Sequence, residues 1–474
     1  MNRSPIFVVL IGVILIGILG FIILNFSQKN KVDNSPKEQG TSVVVLLDFS
    51  KSFPASYSDD GRIIYGFRKE DQRALEALNN VLTDLAFTGA SKFKIILTQI
   101  QTSSITESPI CPPIEITQRI IKRENTISTK EQLSDTLNKY LDMINLMSKD
   151  VNKLGNFTDI SGAITMASDI NRNQYNNGLL IIFSDFNEEL PDGSKPANFK
   201  LNGESVILIH RPGIKEKEDI NGYLARIQNW KNKLIQNGAK TVATLPIFAV
   251  SNTRLLAAIK QEEVGTAFNV LVDCKVNRFS SNNSAENSLV QIGKTLSELS
   301  RDMPVPVTAL WMSIGESGFL SKTLPFIEFQ PRMIKIDSSM NTTEDFRIAM
   351  EELARSLPSY GGVTTETDIS GSLALIGSCD PPPKSSILVI ISDLLDNGIQ
   401  TNFKLAPNTQ VVIIHIASQR DRSDPNSFLA RRQKWEKRFY RQGAVSVCQI
   451  PLVAFTANDL ISCLKLKIKE NKFQ

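Results

Sequence analysis

Five residues in the first half of the chain could together hold a hard cation. Asp48, Ser50 and Ser52 form an Asp-x-Ser-x-Ser run, Thr158 follows much later, and Asp185 completes the set. Two carboxylates and three hydroxyls make an all-oxygen donor set, which suits Mg2+ or Mn2+ better than a softer metal. Such an ion keeps some waters, and one open coordination position would accept a carboxylate from a partner. Other chemistries are poorly provided for. The chain has 2 histidines, 5 cysteines and no Cys-x-x-Cys pair, so a structural zinc site is not expected and the thiols read as isolated. No nucleophile–base pair stands out, and no catalytic residue is assigned. A net charge of +4 is too small to imply nucleic-acid binding through bulk electrostatics.

These residues matter only if the fold brings them together, and the flanking sequence predicts that it does. Residues 42–47 are a continuous apolar run, as expected of a strand buried on both faces, and they lead directly into Asp48. Thr158 stands in a loop before a helix expected to begin near Ile160, and Asp185 follows a strand over residues 179–183. Between and beyond them lie a helix over 71–87 and a strand over 92–100. A further helix carries Leu133, Leu137 and Leu141 behind a Ser128/Glu131 capping-box pattern. Strands over 206–210 and 242–248 then flank a helix over 218–236, and a short helix ends the unit. Strands alternating with helices predict an α/β fold: a doubly wound, mostly parallel, Rossmann-like sheet with helices on both faces. Such sheets bind ligands at the carboxyl ends of their strands, where Asp48, Thr158 and Asp185 all fall.

The chain then repeats itself. Thr158-Asp159-Ile160-Ser161-Gly162 recurs as Thr367-Asp368-Ile369-Ser370-Gly371, and the apolar run ending in Ser184-Asp185 recurs ending in Ser392-Asp393. Leu224-Ala225-Arg226 with Trp230 recurs as Leu429-Ala430-Arg431 with Trp435, and His210 recurs as His415. All matches keep their order, which marks a tandem duplication. The expected domains are residues 41–262 and 266–468, joined so tightly that they should touch rather than swing.

The set Asp48, Ser50, Ser52, Thr158 and Asp185 resembles the metal-ion-dependent adhesion site of von Willebrand factor type A (VWFA) domains, in order, strand context and loop placement over residues 41–262. That resemblance implies two tandem Rossmann-like VWFA-type domains. It also implies a divalent metal held by those five residues, directly or through water, and bridging to an acidic group on a protein ligand. The second repeat departs from the pattern. Asp273, Thr367 and Asp393 are kept, but Lys275 and Asn277 replace the two serines. An ammonium group cannot ligate a metal, so the second site is expected to be metal-free, with Lys275 as its internal cation.

The N-terminus points to a membrane. Residues 6–24 carry no charge. As a helix they would rise about 28 Å, close to the thickness of a bilayer core. No small-residue cleavage site follows, so residues 1–26 read as an uncleaved transmembrane anchor and 27–40 as a polar linker. Arg3 lies on one side and Lys29, Lys31 and Lys37 on the other, which leaves the orientation of this single-pass membrane protein open.

The reading is therefore a membrane-anchored protein-binding or scaffolding protein rather than an enzyme. A Mg2+-dependent phosphatase-like hydrolase with Asp48 as nucleophile is the alternative, but Ser50 stands where that chemistry needs a second aspartate. A metal-free scaffold in a membrane complex is the third. His210 and His415 read as structural, satisfied side chains, Trp230 and Trp435 as core anchors. The basic helix over 425–442 reads as a solvated face, with anionic lipid as a second option. The segment 53–68 is longer than a turn needs and could form a lid beside the site.

Overall fold

The computed structural model describes residues 38–57, 62–88, 92–102, 104, 109–117, 126–172, 175–212, 220–262, 264–273, 283–303, 306–314, 322–323, 327–329, 343–360, 367–396 and 401–470. The apolar run 6–24 and the polar linker before residue 38 lie outside them. Among the described residues no helix is long and apolar enough to cross a membrane.

The first half runs β1 (Glu38–Asp48), β2 (Ala55–Tyr57), β3 (Ile63–Tyr65), α1 (Lys69–Thr88), β4 (Lys92–Ile100), β5 (Ile114–Thr117), α2 (Thr126–Lys149), α3 (Ile160–Arg172), β6 (Tyr175–Ser184), β7 (Ser205–His210), α4 (Ile220–Gln236), β8 (Thr241–Pro246) and α5 (Asn252–Lys260). Six strands form one sheet in the order β5-β4-β1-β6-β7-β8, parallel except for β5. The second half supplies β9 (Val264–Val272), α6 (Asn283–Leu299), β10 (Val307–Ser313), β11 (Lys322–Thr323), β12 (Ile327–Phe329), α7 (Thr343–Tyr360), α8 (Ile369–Gly377), β13 (Pro383–Ser392), β14 (Thr409–His415), α9 (Gln419–Ser423), α10 (Pro425–Arg441), β15 (Ser446–Pro451) and α11 (Ala457–Glu470). Its sheet has the order β11-β10-β9-β13-β14-β15, with β12 also on β10. Both halves are mixed α/β units built on a largely parallel sheet.

Alternation along the central strand explains the layers. Val43, Val45 and Leu47 of β1 join a core with α1, α2 and α5, while Val44 and Leu46 join another with α3 and α4. A strand covered on both faces has no solvent side, so β1 is apolar at every position from Val43 to Leu47. The same split recurs at β9. Val270 and Val272 pack with α6, α7 and α11, and Leu271 packs with α8 and α10.

Three expectations need correction. Helix α2 begins at Thr126, so Ser128 lies inside it rather than at the position before its first residue. Cys448 on β15 and Cys463 on α11 form a disulfide, so these two thiols are not isolated; Cys111 and Cys379 are free and buried. Spacing along the chain could not reveal a pair that only the packing of a helix beside an edge strand brings together. The basic helix α10 is also less solvated than expected. Arg431 bonds Asp421 and the Asp393 carbonyl, Arg432 bonds Gln449, and Arg438 bonds the Thr401 carbonyl.

Among the described residues the halves touch at the loop around Asp380 and at α8, whose Leu375 packs into the core under α3 and α4. The Asp380 backbone pairs with Thr244 of edge strand β8, with N···O distances of 2.8 and 3.0 Å, and its carboxylate pairs with Lys231 of α4. This contact covers part of an edge that would otherwise offer unpaired backbone groups.

Candidate functional site

Register fixes the heart of the site. In the β1–β6 pair Leu47 stands beside Phe183, so the last residues, Asp48 and Ser184, end the two strands side by side. The Ser184 hydroxyl donates to Asp48 Oδ2 at 2.6 Å, and the Ser50 amide donates to Asp48 Oδ1 at 2.8 Å. The Ser50 and Ser52 hydroxyls lie 3.0 Å apart, and the Ser52 side chain is hydrogen-bonded to Asp185. Asp48, Ser50, Ser52 and Asp185 thus form one linked cluster at the carboxyl edge of the sheet.

Thr158 joins through its backbone. Its N–H donates to the Glu189 carbonyl at 2.7 Å, and the Glu189 N–H donates back at 3.1 Å. Just upstream, Gly155 exchanges backbone bonds with Phe49 and Lys51. The Thr158 loop therefore sits between the Ser50 loop and the chain leaving Asp185. Thr158 is buried, and its hydroxyl bonds none of the other four residues among the described ones.

The electrostatics are unusual. Asp48 and Asp185 are both buried. Burial, and next the Asp185 charge, push the Asp48 carboxyl up from the usual carboxylate range to about 7. The groups that favour its ionised form are the neutral donors of Ser184 and Ser50. Burial also raises Asp185, opposed by the Asn187 amide, the Ser52 hydroxyl and the charges of Arg226 and Arg211. Two carboxylates are thus held where a second negative charge is costly unless a cation joins them.

The supporting residues repeat in both halves. Phe186 and Leu394, directly after Asp185 and Asp393, take left-handed backbone conformations with φ of 58° and 62°. Indole N–H groups hold their carbonyls, Trp230 to Phe186 at 3.0 Å and Trp435 to Leu394 at 3.1 Å. Arg226 and Arg431 reach the carbonyls of Asp185 and Asp393. Glu188 accepts from the Ser161 amide at 2.6 Å, and Asp396 accepts from the Ile369 amide at 3.0 Å, so each strand-end loop is tied to the start of α3 or α8. Asp159 and Asp368 accept from the amides of Gly162 and Gly371. A Cβ on either glycine would collide with that carboxylate, which accounts for the Asp-Ile-Ser-Gly repeat.

In the second half Asp273 accepts from Ser392 at 3.2 Å, as Asp48 does from Ser184, and also from Thr367 at 3.4 Å, a bond that Thr158 does not make to Asp48. Lys275 and Asn277 lie outside the described residues. One feature of the first half has no repeat. Arg211, where the second half has Ile416, forms a buried ion pair with Asp71 at 2.9 Å, bonds the Phe53 carbonyl and stacks 4.4 Å from the Phe53 ring.

Reading the sequence missed Arg226, Glu188 and Arg211 as site residues and took the tryptophans only as core. The repeated Leu-Ala-Arg and Trp motif carried a usable signal for Arg226 and Trp230. Nothing in the sequence marked Arg211. The histidines behave as structural groups. His210 Nδ1 lies 2.6 Å from the Tyr223 hydroxyl, and its Nε2 has no partner among the described residues, contrary to the expectation of a fully satisfied ring. Burial pushes His210 down to about 3 and His415 to about 4.

Among the described residues no group of three or more His, Cys, Asp and Glu gathers, and the candidate site is instead two carboxylates with hydroxyls. No protein-family model and no curated protein matches this chain. Two structures of proximal thread matrix protein 1 from the mussel byssus are similar at 12% and 13% identity. They cover 90% and 91% of this chain and 97% and 96% of their own, with TM-scores of 0.25 and 0.24. Likeness at that level carries no argument about fold or function.

Proposed function

We propose that this chain is a membrane-anchored protein-binding protein whose first half, a VWFA-type doubly wound domain, captures an acidic group of a protein ligand through a divalent cation. The observation that carries this reading is the buried pair Asp48 and Asp185, raised in proton affinity and bridged by the hydroxyls of Ser50 and Ser52. The residues present fit Mg2+ or Mn2+. They are all oxygen donors, their charge is uncompensated on the Asp48 side, and a divalent ion would remove the cost of ionising both carboxylates. Asp48, Ser50, Ser52, Thr158 and Asp185 would hold the ion, which when bound supplies an electrophilic centre for a carboxylate ligand. Ser184, Arg226, Trp230 and Glu188 keep the donors in place. The second half is a structural or metal-free interaction module. The apolar run 6–24 is the anchor.

Calorimetric titration of Mn2+ and Mg2+ into the chain from residue 38 onward tests this. One saturable site, absent in Asp185→Ala, is expected. If the wild-type protein takes up neither ion, the adhesion-type mechanism fails and a metal-free scaffold takes its place.

A further inference from the structure

The two halves enclose a cavity that the cation site does not use. Helix α3 runs 13 residues and lays Ile170 of its last turn against the core beneath it, whereas its counterpart α8 stops after 9. The missing turn is about 6 Å of helix. Past Gly377 the chain turns aside instead, and Asp380 pairs with β8 of the first half. A cleft of about 650 Å3 is left there. Its size is that of a small-molecule site, and such sites concentrate where domains meet. Leu224 and Ile227 of α4 wall it from the first half; Leu373 and Ile376 of α8, with Phe403 and Leu405, wall it from the second. These walls are fixed in place. Leu375 of α8 is buried in the first-half core, and Gly377 lies so close to the Lys404 carbonyl that a Cβ has no room.

The polar groups of the cleft are a second, independent observation. Asn269 of β9 and Ser386 of β13 line it, at the positions that Val44 and Gly178 hold in the first half. Val44 is a core residue beneath α3 and α4, so an amide stands where its counterpart is hydrocarbon. Asn269 is 6% exposed and Ser386 3%. Asn269 Nδ2 donates to Ser386 Oγ at 3.1 Å, the one side-chain hydrogen bond that either makes among the described residues. A second Nδ2 proton and the Ser386 hydroxyl proton are left without acceptors, although polar groups so buried are normally bonded. Two neighbouring donors call for an acceptor, and the charge of the lining favours an anionic one. Its described residues include Lys231, Arg254 and Lys404 against one carboxylate, Asp380, which Lys231 already holds. Lys404 is exposed and forms no ion pair among the described residues. We propose that this cleft binds a small monocarboxylate with an apolar body. The carboxylate accepts from Asn269 and Ser386, Lys404 supplies the countercharge, and the body packs against the leucine and isoleucine walls. The first half, with Val44 and Gly178 and a full-length α3, has no equivalent donors, and the site is independent of the cation reading above.

The test is calorimetry on the full chain in detergent, with EDTA present so that no metal-bound carboxylate contributes. Hydrocinnamate, hydrocinnamyl alcohol and hydrocinnamylamine share one body and differ in head group. Hydrocinnamate should fill one saturable site about 10-fold more tightly than the alcohol, and the amine should not bind. Asn269→Val/Ser386→Gly installs the first half's residues and should weaken hydrocinnamate by about 10-fold or more. Lys404→Gln, a change at an exposed side chain, should bring carboxylate and alcohol to equal affinity. Unchanged melting temperatures show that each variant is folded. No hydrocinnamate binding to the wild type, equal binding of carboxylate and alcohol, or wild-type affinity in the double variant overturns the proposal. A head-group preference that survives Lys404→Gln overturns it too, because the countercharge would then lie elsewhere.

Discussion

Replacing Asp48 by Asn should make the metal-free protein more stable at neutral pH, the reverse of what removing a buried, hydrogen-bonded group usually does. Asp48 is fully buried and holds its proton up to about pH 7, through burial first and the Asp185 charge second. A folded-state pKa raised above the unfolded value means that the native state binds more protons between roughly pH 4 and pH 7, so its stability falls as pH rises through that window. Each pH unit of that window is worth about 1.4 kcal/mol, so about 4 kcal/mol of stability is lost by about pH 8. Asn removes that penalty but receives the Ser184 hydroxyl less well, which costs about 1 kcal/mol. The expected net gain is about 3 kcal/mol at about pH 8 and nothing, or a small loss, at about pH 4.

Urea denaturation in EDTA, followed by the fluorescence of the buried Trp230, Trp311 and Trp435, measures it. The difference between variant and wild type is the informative quantity. His210 and His415 titrate in the opposite sense in both proteins, and their contributions cancel. Mn2+ should stabilise the wild type at about pH 8 and leave the variant unchanged. A variant less stable than wild type by the same amount at both pH values would refute the reasoning, because Asp48 would then be an ordinary hydrogen-bonded group.

Arg211→Met strips the partner from buried Asp71 and should cost about 3–5 kcal/mol, with most of it recovered in Arg211→Met/Asp71→Leu; equal losses in both variants on denaturation would show that the charge pairing is irrelevant. Trp230→Phe keeps the ring but loses the bond to the Phe186 carbonyl, so stability should fall by about 1–3 kcal/mol and Mn2+ should bind more weakly by calorimetry. His210 stays neutral when folded, so stability should be lost as pH falls below about 6.5, and His210→Asn should flatten that arm of the denaturation profile. The Cys448–Cys463 bond closes a separation of 15 residues, so the double alanine variant should lose about 3 kcal/mol, read as a lower melting temperature.

The α/β alternation, the five oxygen-bearing residues and the repetition of the chain were all legible in the amino-acid sequence, because each is a local signal. A strand buried on both faces must be apolar throughout, the carboxylates of Asp159 and Asp368 leave no room for a Cβ at Gly162 and Gly371, and a duplicated unit carries the same residues in the same order. The edges of the elements moved by a few residues, and Ser128 fell inside its helix, since a capping pattern does not exclude an earlier start. Which groups surround the carboxylates was settled by the folded arrangement alone. Asp48 meets Ser184 across 136 residues of chain, Arg211 meets Asp71 across 140, and Lys231 meets Asp380 across 149. Folding also joined Cys448 to Cys463 and turned three arginines of α10 inward. Partners so distant leave no periodicity and no spacing in the chain. They are chosen by sheet order and strand register, which set the proton affinity of Asp48 through burial and through the charge next to it.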